Sequence, residues 1–542
     1  MKRLILSAVA LCLLATTALS RTVKHIQDSY PRIFWDINTQ QEIFPHGNYA
    51  RIINLLDGKL IAVAEAGGGI SCRYSKDGGQ TWTPPQLIVR SADKVPYAVP
   101  DIIQLSDGTI IVGYNPRPSQ PPSEDRKFGI RVVRSIDNGA TWSDPIYVYD
   151  ASHLFCDGCW EPSFLELPGG EVQLYFANEN NFRTSDEQEI SMCRSFDKGK
   201  TWSDPVRISY RAGYRDGMPV AILTENNEIV VIIEDNGQPG RNGFRATTVR
   251  SSLCDNWSQW ADASSINRQI IFADETDKTF ISAAPYLRKL KNGYTIASWQ
   301  GDKGQRAGMG EKHYDMFVAV GDKDARNFRG ITEPFMLPVE MHALWNSVAV
   351  SDNGDVFAIA SIGGNGKPNA ISIIKGSVID NFHVGYGKPD GTDQIVMGTK
   401  SRKRSYLDFW YDKNKLYFKA CINGADTGID RDLTLQLQTG TKISQGIYSF
   451  TISPDNTLKA CQNFDGKKNY DNNIKEIKHK VSYRDGHLEL ELAIPFKYLN
   501  ANKDNAMRCN ITIRHCNETD TIPATEADNP ETWPKLVFGQ GH

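Results

Sequence analysis

Three copies of one eight-residue pattern, their serines 60 residues apart, constrain this chain more than any other feature. They are Ser75-x-Asp77-x-Gly79-x-Thr81-Trp82, Ser135-x-Asp137-x-Gly139-x-Thr141-Trp142 and Ser195-x-Asp197-x-Gly199-x-Thr201-Trp202. Each reads as a hairpin turn. The Ser and Asp oxygens take turn amides, Gly adopts positive φ, and Trp packs between outer strands. Ser251 to Trp257 carries a decayed fourth copy. A period of this length marks a repeat architecture built from one supersecondary unit.

A second repeat runs through a longer stretch. Asp57-Gly58, Asp107-Gly108, Gly169-Gly170, Asn226-Asn227, Asn292-Gly293 and Asn353-Gly354 each precede an apolar β-branched run, at steps of 50, 62, 57, 66 and 61 residues. Such pairs are hairpin signals. One of these hairpins plus one serine–aspartate hairpin makes four strands, the unit of a β-propeller. Six turns predict six blades. Beyond residue 378 the rhythm stops, and Ser405–Trp410, Lys415–Ala420 and His487–Ala493 alternate as short sandwich strands. The expected fold class is all-β: a six-bladed β-propeller over 21–378 and a C-terminal β-sandwich over 379–542.

The blades align internally. Eight residues before the second turn residue stand Ala50, Pro100, Pro162, Pro219, Pro285 and Asn346; seven after it stand Glu65, Asn115, Ala177, Glu234, Gln300 and Ser361. Both sets lie at the same end of their hairpins, so they are expected to ring the mouth of a central channel, a natural ligand site. Glycoside hydrolysis needs two carboxyl groups there, one to protonate the leaving oxygen and one to attack or to activate water. Glu161 and Glu234 are the candidates. Glu234 ends the apolar run Ile229–Ile233, where desolvation raises a carboxyl pKa as a general acid requires. Candidate substrate-binding residues around them are Arg51, Glu65, Asp101, Asn115, Arg117, Trp160, Tyr286, Trp299, Gln300, Trp345 and Asn346. The tryptophans either stack on sugars or pack in the core.

The eight-residue pattern is the Asp box, and the chain resembles sialidase-like propellers in carrying it. Trp160-Glu161-Pro162, Gly217-Met218-Pro219-Val220, Glu234, Ala284-Pro285-Tyr286-Leu287 and Trp299-Gln300 resemble glycoside hydrolase family 93, retaining exo-arabinanases that release arabinobiose from α-1,5-arabinan. The resemblance covers the propeller and implies that Glu161 and Glu234 are the catalytic pair; the favoured assignment makes Glu161 the nucleophile and Glu234 the acid/base, with the reverse assignment open. Exo-α-sialidases share the boxes but use a tyrosine nucleophile and three arginines. Tyr49-Ala50-Arg51-Ile52 stands where their first arginine motif falls, without its usual form, and Arg117, Arg245, Arg250 and Arg288 are the other arginines available. A silent glycan-binding propeller and a propeller lyase also stay open, since fold does not fix activity. Tyr483–Phe496 and Trp533–Phe538 resemble strands of family 9 carbohydrate-binding modules, with Trp410, Tyr411 and Trp533 as possible stacking rings.

Composition narrows the partners. A net charge of -3 gives no long-range field for nucleic acid or anionic lipid. The expected partner is an oligo- or polysaccharide. No phosphate loop or zinc motif is present, so neither cofactor nor metal is expected. Lys2 and Arg3, the apolar run Leu4–Ala15 and the site Ala18-Leu19-Ser20 read as a cleaved signal peptide over 1–20, giving a secreted or periplasmic protein. Nine of the ten cysteines follow it, and Cys156 and Cys159 are placed to close a small loop disulfide.

Overall fold

The structure is a computed structural model that describes residues 32–153, 158–272, 280–302 and 306–379, and most of the strands between 381 and 538. The expected signal peptide and Cys156 lie outside the described residues. Cys159 is a buried thiol. The described residues are almost wholly β, with 3-10 turns such as Glu311–His313 and Ile474–Glu476. No helix among them is long and apolar enough to cross a membrane.

Up to Ile379 the strands form six antiparallel sheets of four. Their first strands are Asn48–Asn54, Tyr97–Gln104, Cys159–Glu166, Asp216–Leu223, Ala283–Lys289 and Met341–Val350. Each touches the next in order, and the sixth returns to the first. Ser347 Oγ donates to the Ala50 carbonyl at 2.8 Å and Asn54 Nδ2 to the Val350 carbonyl at 2.6 Å across that last junction. The outer strand of the sixth sheet is Arg32–Phe44, paired antiparallel with Lys367–Ile379. An N-terminal segment thus completes the last sheet, a pairing that no local pattern in the sequence announced.

All six turns form alike. The second turn residue donates its amide three residues back, from Gly58 to Leu55, Gly108 to Leu105, Gly170 to Leu167, Asn227 to Thr224, Gly293 to Leu290 and Gly354 to Ser351. The three boxes also share one bonding scheme. In the first, Ser75 Oγ bonds Asp77 and receives the Gly79 amide at 2.9 Å, while Asp77 receives the Thr81 amide at 2.9 Å and its hydroxyl at 2.5 Å. Those hydroxyl and amide donors hold the Asp77 carboxyl down to about 2. Trp82, Trp142 and Trp202 each pack against a cluster shared with a neighbouring sheet, so every box staples two sheets. The decayed copy keeps the essentials. Trp257 is buried and its amide donates to Ser251 Oγ at 3.0 Å.

Gly79 is irreplaceable on two grounds. Its φ is 85°, and a Cβ there meets the Phe357 ring at 2.8 Å. Gly79→Val is expected to cost about 2 kcal/mol or more, from the left-handed backbone penalty plus the clash. A fall in the thermal midpoint of full-length protein checks this; an unchanged midpoint contradicts it.

Beyond Ile379 the described strands form one thirteen-stranded hydrogen-bonded sheet, eleven along a single path and two paired to its side. Asn381–Tyr386 joins its halves, pairing parallel with Lys535–Phe538 on one side and with Ser405–Tyr411 on the other. Both halves feed one core that includes Phe382, Phe418, Leu435 and Leu490. The two layers expected of a sandwich are therefore hydrogen-bonded into a single sheet path. Of the three rings considered for sugar stacking here, Tyr411 and Trp533 are buried in the core. Trp410 stays half-exposed and stacks on Tyr417 with centroids 5.3 Å apart.

Candidate active site

Each of the six first strands carries the same defect. Between Asn48 and Arg51, Ala98 and Asp101, Trp160 and Ser163, Gly217 and Val220, Ala283 and Tyr286, and Leu344 and Ser347, three steps on the first strand face two on the second. This is a β-bulge, which re-aims a side chain and turns the strand. Its second residue is Tyr49, Val99, Glu161, Met218, Ala284 or Trp345, and every one has positive φ. Six non-glycine residues held in that region store strain, on the order of 1–3 kcal/mol each, which only a surrounding frame maintains. Tyr49, Val99, Met218 and Trp345 converge into one small apolar cluster, with the Tyr49 and Trp345 rings stacked at 4.9 Å. Glu161 is the acidic member of this ring of bulges.

The frame consists of amide caps. Ser361 Oγ receives the Tyr49 amide at 3.2 Å, Glu234 Oε2 the Ala284 amide at 2.7 Å, and Gln300 Oε1 the Trp345 amide at 2.7 Å. Glu65 takes the Val99 amide. The corresponding place in the third sheet holds Ala177, too short to reach, and Glu161 takes the Met218 amide from the bulge itself. This brings the two candidate carboxylates to successive residues of one strand. Glu161 bonds Met218, while Glu234 lies against Gly217, where a Cβ would stand 3.1 Å from Glu234 Oε1.

Their electrostatic surroundings differ. Arg117 Nη2 donates to Glu161 Oε1 at 3.3 Å and lies over the half-buried Trp160 ring at 4.9 Å. The fully buried Asn115 holds that arginine through its Nε at 2.7 Å. Burial pushes the Glu161 carboxyl up, while Arg117 chiefly opposes it. Burial pushes the Glu234 carboxyl up to about 7, the Glu161 charge adds to the rise, and the Ala284 amide opposes it. Both carboxyls feel Arg215, which is ion-paired with Glu179. Burial thus raises both carboxyls, and Glu161 has an arginine within hydrogen-bonding reach to oppose the rise where Glu234 has a backbone amide. An acid–nucleophile pair needs two such carboxyls in unlike surroundings. Tyr49 also feels both carboxylates, and burial drives its hydroxyl far up, so it stays protonated.

The remaining expected residues fall into distinct places. Glu65 and Gln300 cap bulges, as above. Asn346 is buried, receives the Ser298 hydroxyl at 2.5 Å and donates to the Ala284 carbonyl at 3.1 Å. Asp101 and Tyr286 are buried one step below the bulges, bonded to each other at 3.1 Å. Arg51 and Arg288 lie over the Tyr286 ring at 4.6 and 4.3 Å. Trp299 is fully buried among Phe272, Phe280 and Phe317 and offers no face to a ligand. Trp345 is half-buried in the bulge ring. Tyr49, Met218, Arg215 and Glu179 were not among the expected site residues. The first two stand one place before the aligned Ala50 and Pro219, so an alignment shifted by one residue would have found them.

These features sit beside a repeat with known relatives. The BNR/Asp-box repeat is matched over residues 73–84. The chain carries this repeat. No curated protein matches the chain. Solved structures similar to it include a protein of unknown function from Dyadobacter fermentans, at 16% identity over 65% of this chain and 99% of that one, with a TM-score of 0.48. Another is the GH93 alpha-L-arabinofuranosidase of Fusarium graminearum in complex with arabinobiose, at 21% identity over 62% of this chain and 97% of that one, TM-score 0.48. A third is the NanB sialidase from Streptococcus pneumoniae, at 11% identity over 68% and 72%, TM-score 0.44.

A buried ion cluster braces the mouth end of the fourth sheet, one residue from Gly217 and Glu234. Arg268 donates to Asp216 Oδ2 at 2.5 Å and to Asp235 Oδ2 at 2.8 Å, and Arg211 donates to Asp235 at 3.1 Å. All four are buried. Removing the central cation leaves Asp216 without a cation and Asp235 with Arg211 alone, and breaking a buried pair in this way costs about 3–5 kcal/mol. Arg268→Met is therefore expected to lower the thermal midpoint by several degrees at pH 7. An unchanged midpoint would show that Arg211 alone suffices.

Proposed function

We propose that this chain is an exported, exo-acting, retaining glycoside hydrolase on a six-bladed β-propeller, releasing arabinose-containing units from α-1,5-arabinan. The observation that carries the proposal is the carboxyl pair brought to successive residues of one strand, Glu234 at Gly217 and Glu161 at Met218. Glu161, beside Arg117, is the nucleophile; Glu234, pushed up to about 7, is the acid/base. In the first step a Glu161 oxygen bonds the anomeric carbon as the glycosidic C–O bond breaks, and the Glu234 proton passes to the leaving oxygen. Glu234 Oε2 accepts the Ala284 amide, which leaves Oε1 to carry that proton. In the second step water gives its proton to the Glu234 carboxylate, its oxygen bonds the anomeric carbon, and the ester to Glu161 breaks. Met218, Trp345 and Tyr49 supply an apolar floor for the sugar.

One feature favours a second reading, an exo-α-sialidase: Tyr49 stands beside both carboxylates. Its protonated, buried hydroxyl weighs against it as a nucleophile. Incubation with linear arabinan and with sialyl-lactose separates the two. Sugar released from arabinan alone is expected, and free sialic acid alone reverses the order. Silence on both and on a wider glycan panel removes the hydrolase reading.

A further inference from the structure

We infer that the chain has a second glycan-binding site, an aromatic platform outward from the carboxyl pair on the same face of the ring. It is formed by Phe182, Tyr210 and Trp260 around Arg207, and its occupant is the distal stretch of a polysaccharide whose end lies at Glu161 and Glu234. The inference rests on the hydrolase reading for the identity of the chain it binds.

The rings form one array. Phe182 stacks on Tyr210 with centroids 5.0 Å apart and planes 19° from parallel, and Tyr210 lies 6.3 Å from Trp260. The Arg207 guanidinium sits 4.8 Å from the Tyr210 ring centre and 5.3 Å from that of Trp260. Anchors at the ring edges fix the array. Tyr210 Oη donates to Glu187 Oε1 at 2.5 Å, and Arg207 Nε to the buried Glu189 at 2.5 Å. Trp260 is nonetheless 43% exposed, Phe182 is half-exposed, and the nearby Tyr214 is 46% exposed. Large rings held rigid and left in water mark a binding surface.

Position ties this surface to the carboxyl pair. In the third sheet, Glu189 pairs with Asn178 and Ile190 with Ser209. The loops after Asn178 and after Ser209 therefore open on the face where Ala177 pairs with Trp160, beside Glu161. Phe182 closes a turn on Glu179, and Glu179 is the partner of Arg215, which both carboxyls feel. The path from Glu161 through Arg215 and Glu179 to Phe182 is continuous. The chemistry selects the occupant. Ring faces suit the C–H faces of sugars, and charged groups at the ring edges suit their hydroxyls. A surface of three rings is far smaller than the roughly 800 Å² per partner of a stable protein interface.

Affinity electrophoresis of full-length protein through gels containing linear α-1,5-arabinan, with branched arabinan and xylan alongside, tests this. The Phe182→Ala/Trp260→Ala variant is expected to bind the linear polymer at least about tenfold more weakly, through the loss of two stacking rings, and to bind arabinobiose within about twofold of wild type. Equal weakening on polymer and disaccharide, no weakening on polymer, or no retardation of wild type by any of the gels overturns the inference. Polymer binding that needs the two rings in a protein that hydrolyses nothing would remove the hydrolase reading and leave the platform standing. Hydrolysis with ring-independent binding would do the reverse.

Discussion

Glu234→Gln and Glu161→Gln are each expected to lower kcat on the cleaved glycan at least about 100-fold, the lower end of what a positioned acid, base or nucleophile contributes. Glutamine preserves the shape of both side chains. Its Oε1 still accepts the Ala284 amide at position 234 and the Met218 amide at position 161, the bonds that the carboxylates make now. A loss of rate therefore reports chemistry and not a collapsed bulge. The two variants should part company on a substrate with a good leaving group. Glu234→Gln then keeps bond cleavage and stalls at the second step, so a burst of leaving group precedes slow turnover. Glu161→Gln has no nucleophile and shows no burst. Wild-type turnover in either variant contradicts the proposed mechanism.

The second large effect is on stability, and its sign is opposite. The Glu234 carboxyl rises from 4.5 to about 7 on folding. The folded chain therefore holds this proton more tightly than the unfolded chain. The associated stability is complete below about pH 4.5 and is lost as pH rises through about 7. Above that, wild type folds around a half-buried charge that a glutamine lacks. Glu234→Gln is expected to raise the thermal midpoint at pH 8 by roughly 2–6 °C, corresponding to no more than about 3 kcal/mol. At pH 4.5 the gain should be under about 1 °C. A lower midpoint at both values would mean that the ionised carboxylate is a structural cap and nothing more. In the proposed mechanism the same proton sets the rate: kcat/KM of wild type should fall above about pH 7, as the acid is lost.

Much of the ring was legible because its signals are local. A box folds on its own Ser, Asp and Thr oxygens, and a turn on its own three-residue amide bond, so Ser75 and Asp57 announce themselves without their neighbours. Arg32–Phe44 gave no such signal. Its place in the sixth sheet depends on pairing with Lys367–Ile379, a contact between the ends of the ring. The candidate site, as the bulges frame it, is partly legible in the sequence. Glu161 and Glu234 were marked by their flanking residues, but the bulge inserts one residue into each first strand and shifts the side-chain alternation there. The aligned prolines therefore stand one place past the bulge residues, and Tyr49 and Met218 carry no signal of their own in the sequence. Trp299 shows the converse failure. A tryptophan beside Gln300 at a strand tip suggests sugar stacking, and only the packing of Phe272, Phe280 and Phe317 reveals a core residue. Arg215 lies in a loop with no periodicity, and nothing short of coordinates brings it to both carboxyls.

Mapping the covalent intermediate is the most direct check on the carboxyl pair. Glu234→Gln treated with an activated glycoside should accumulate sugar on the enzyme, because attachment proceeds while hydrolysis lacks its base. Mass analysis of the quenched, digested protein should then find a single sugar unit ester-linked to the peptide that carries Glu161. A sugar on Tyr49, or none on any peptide despite a released leaving group, would contradict the pair.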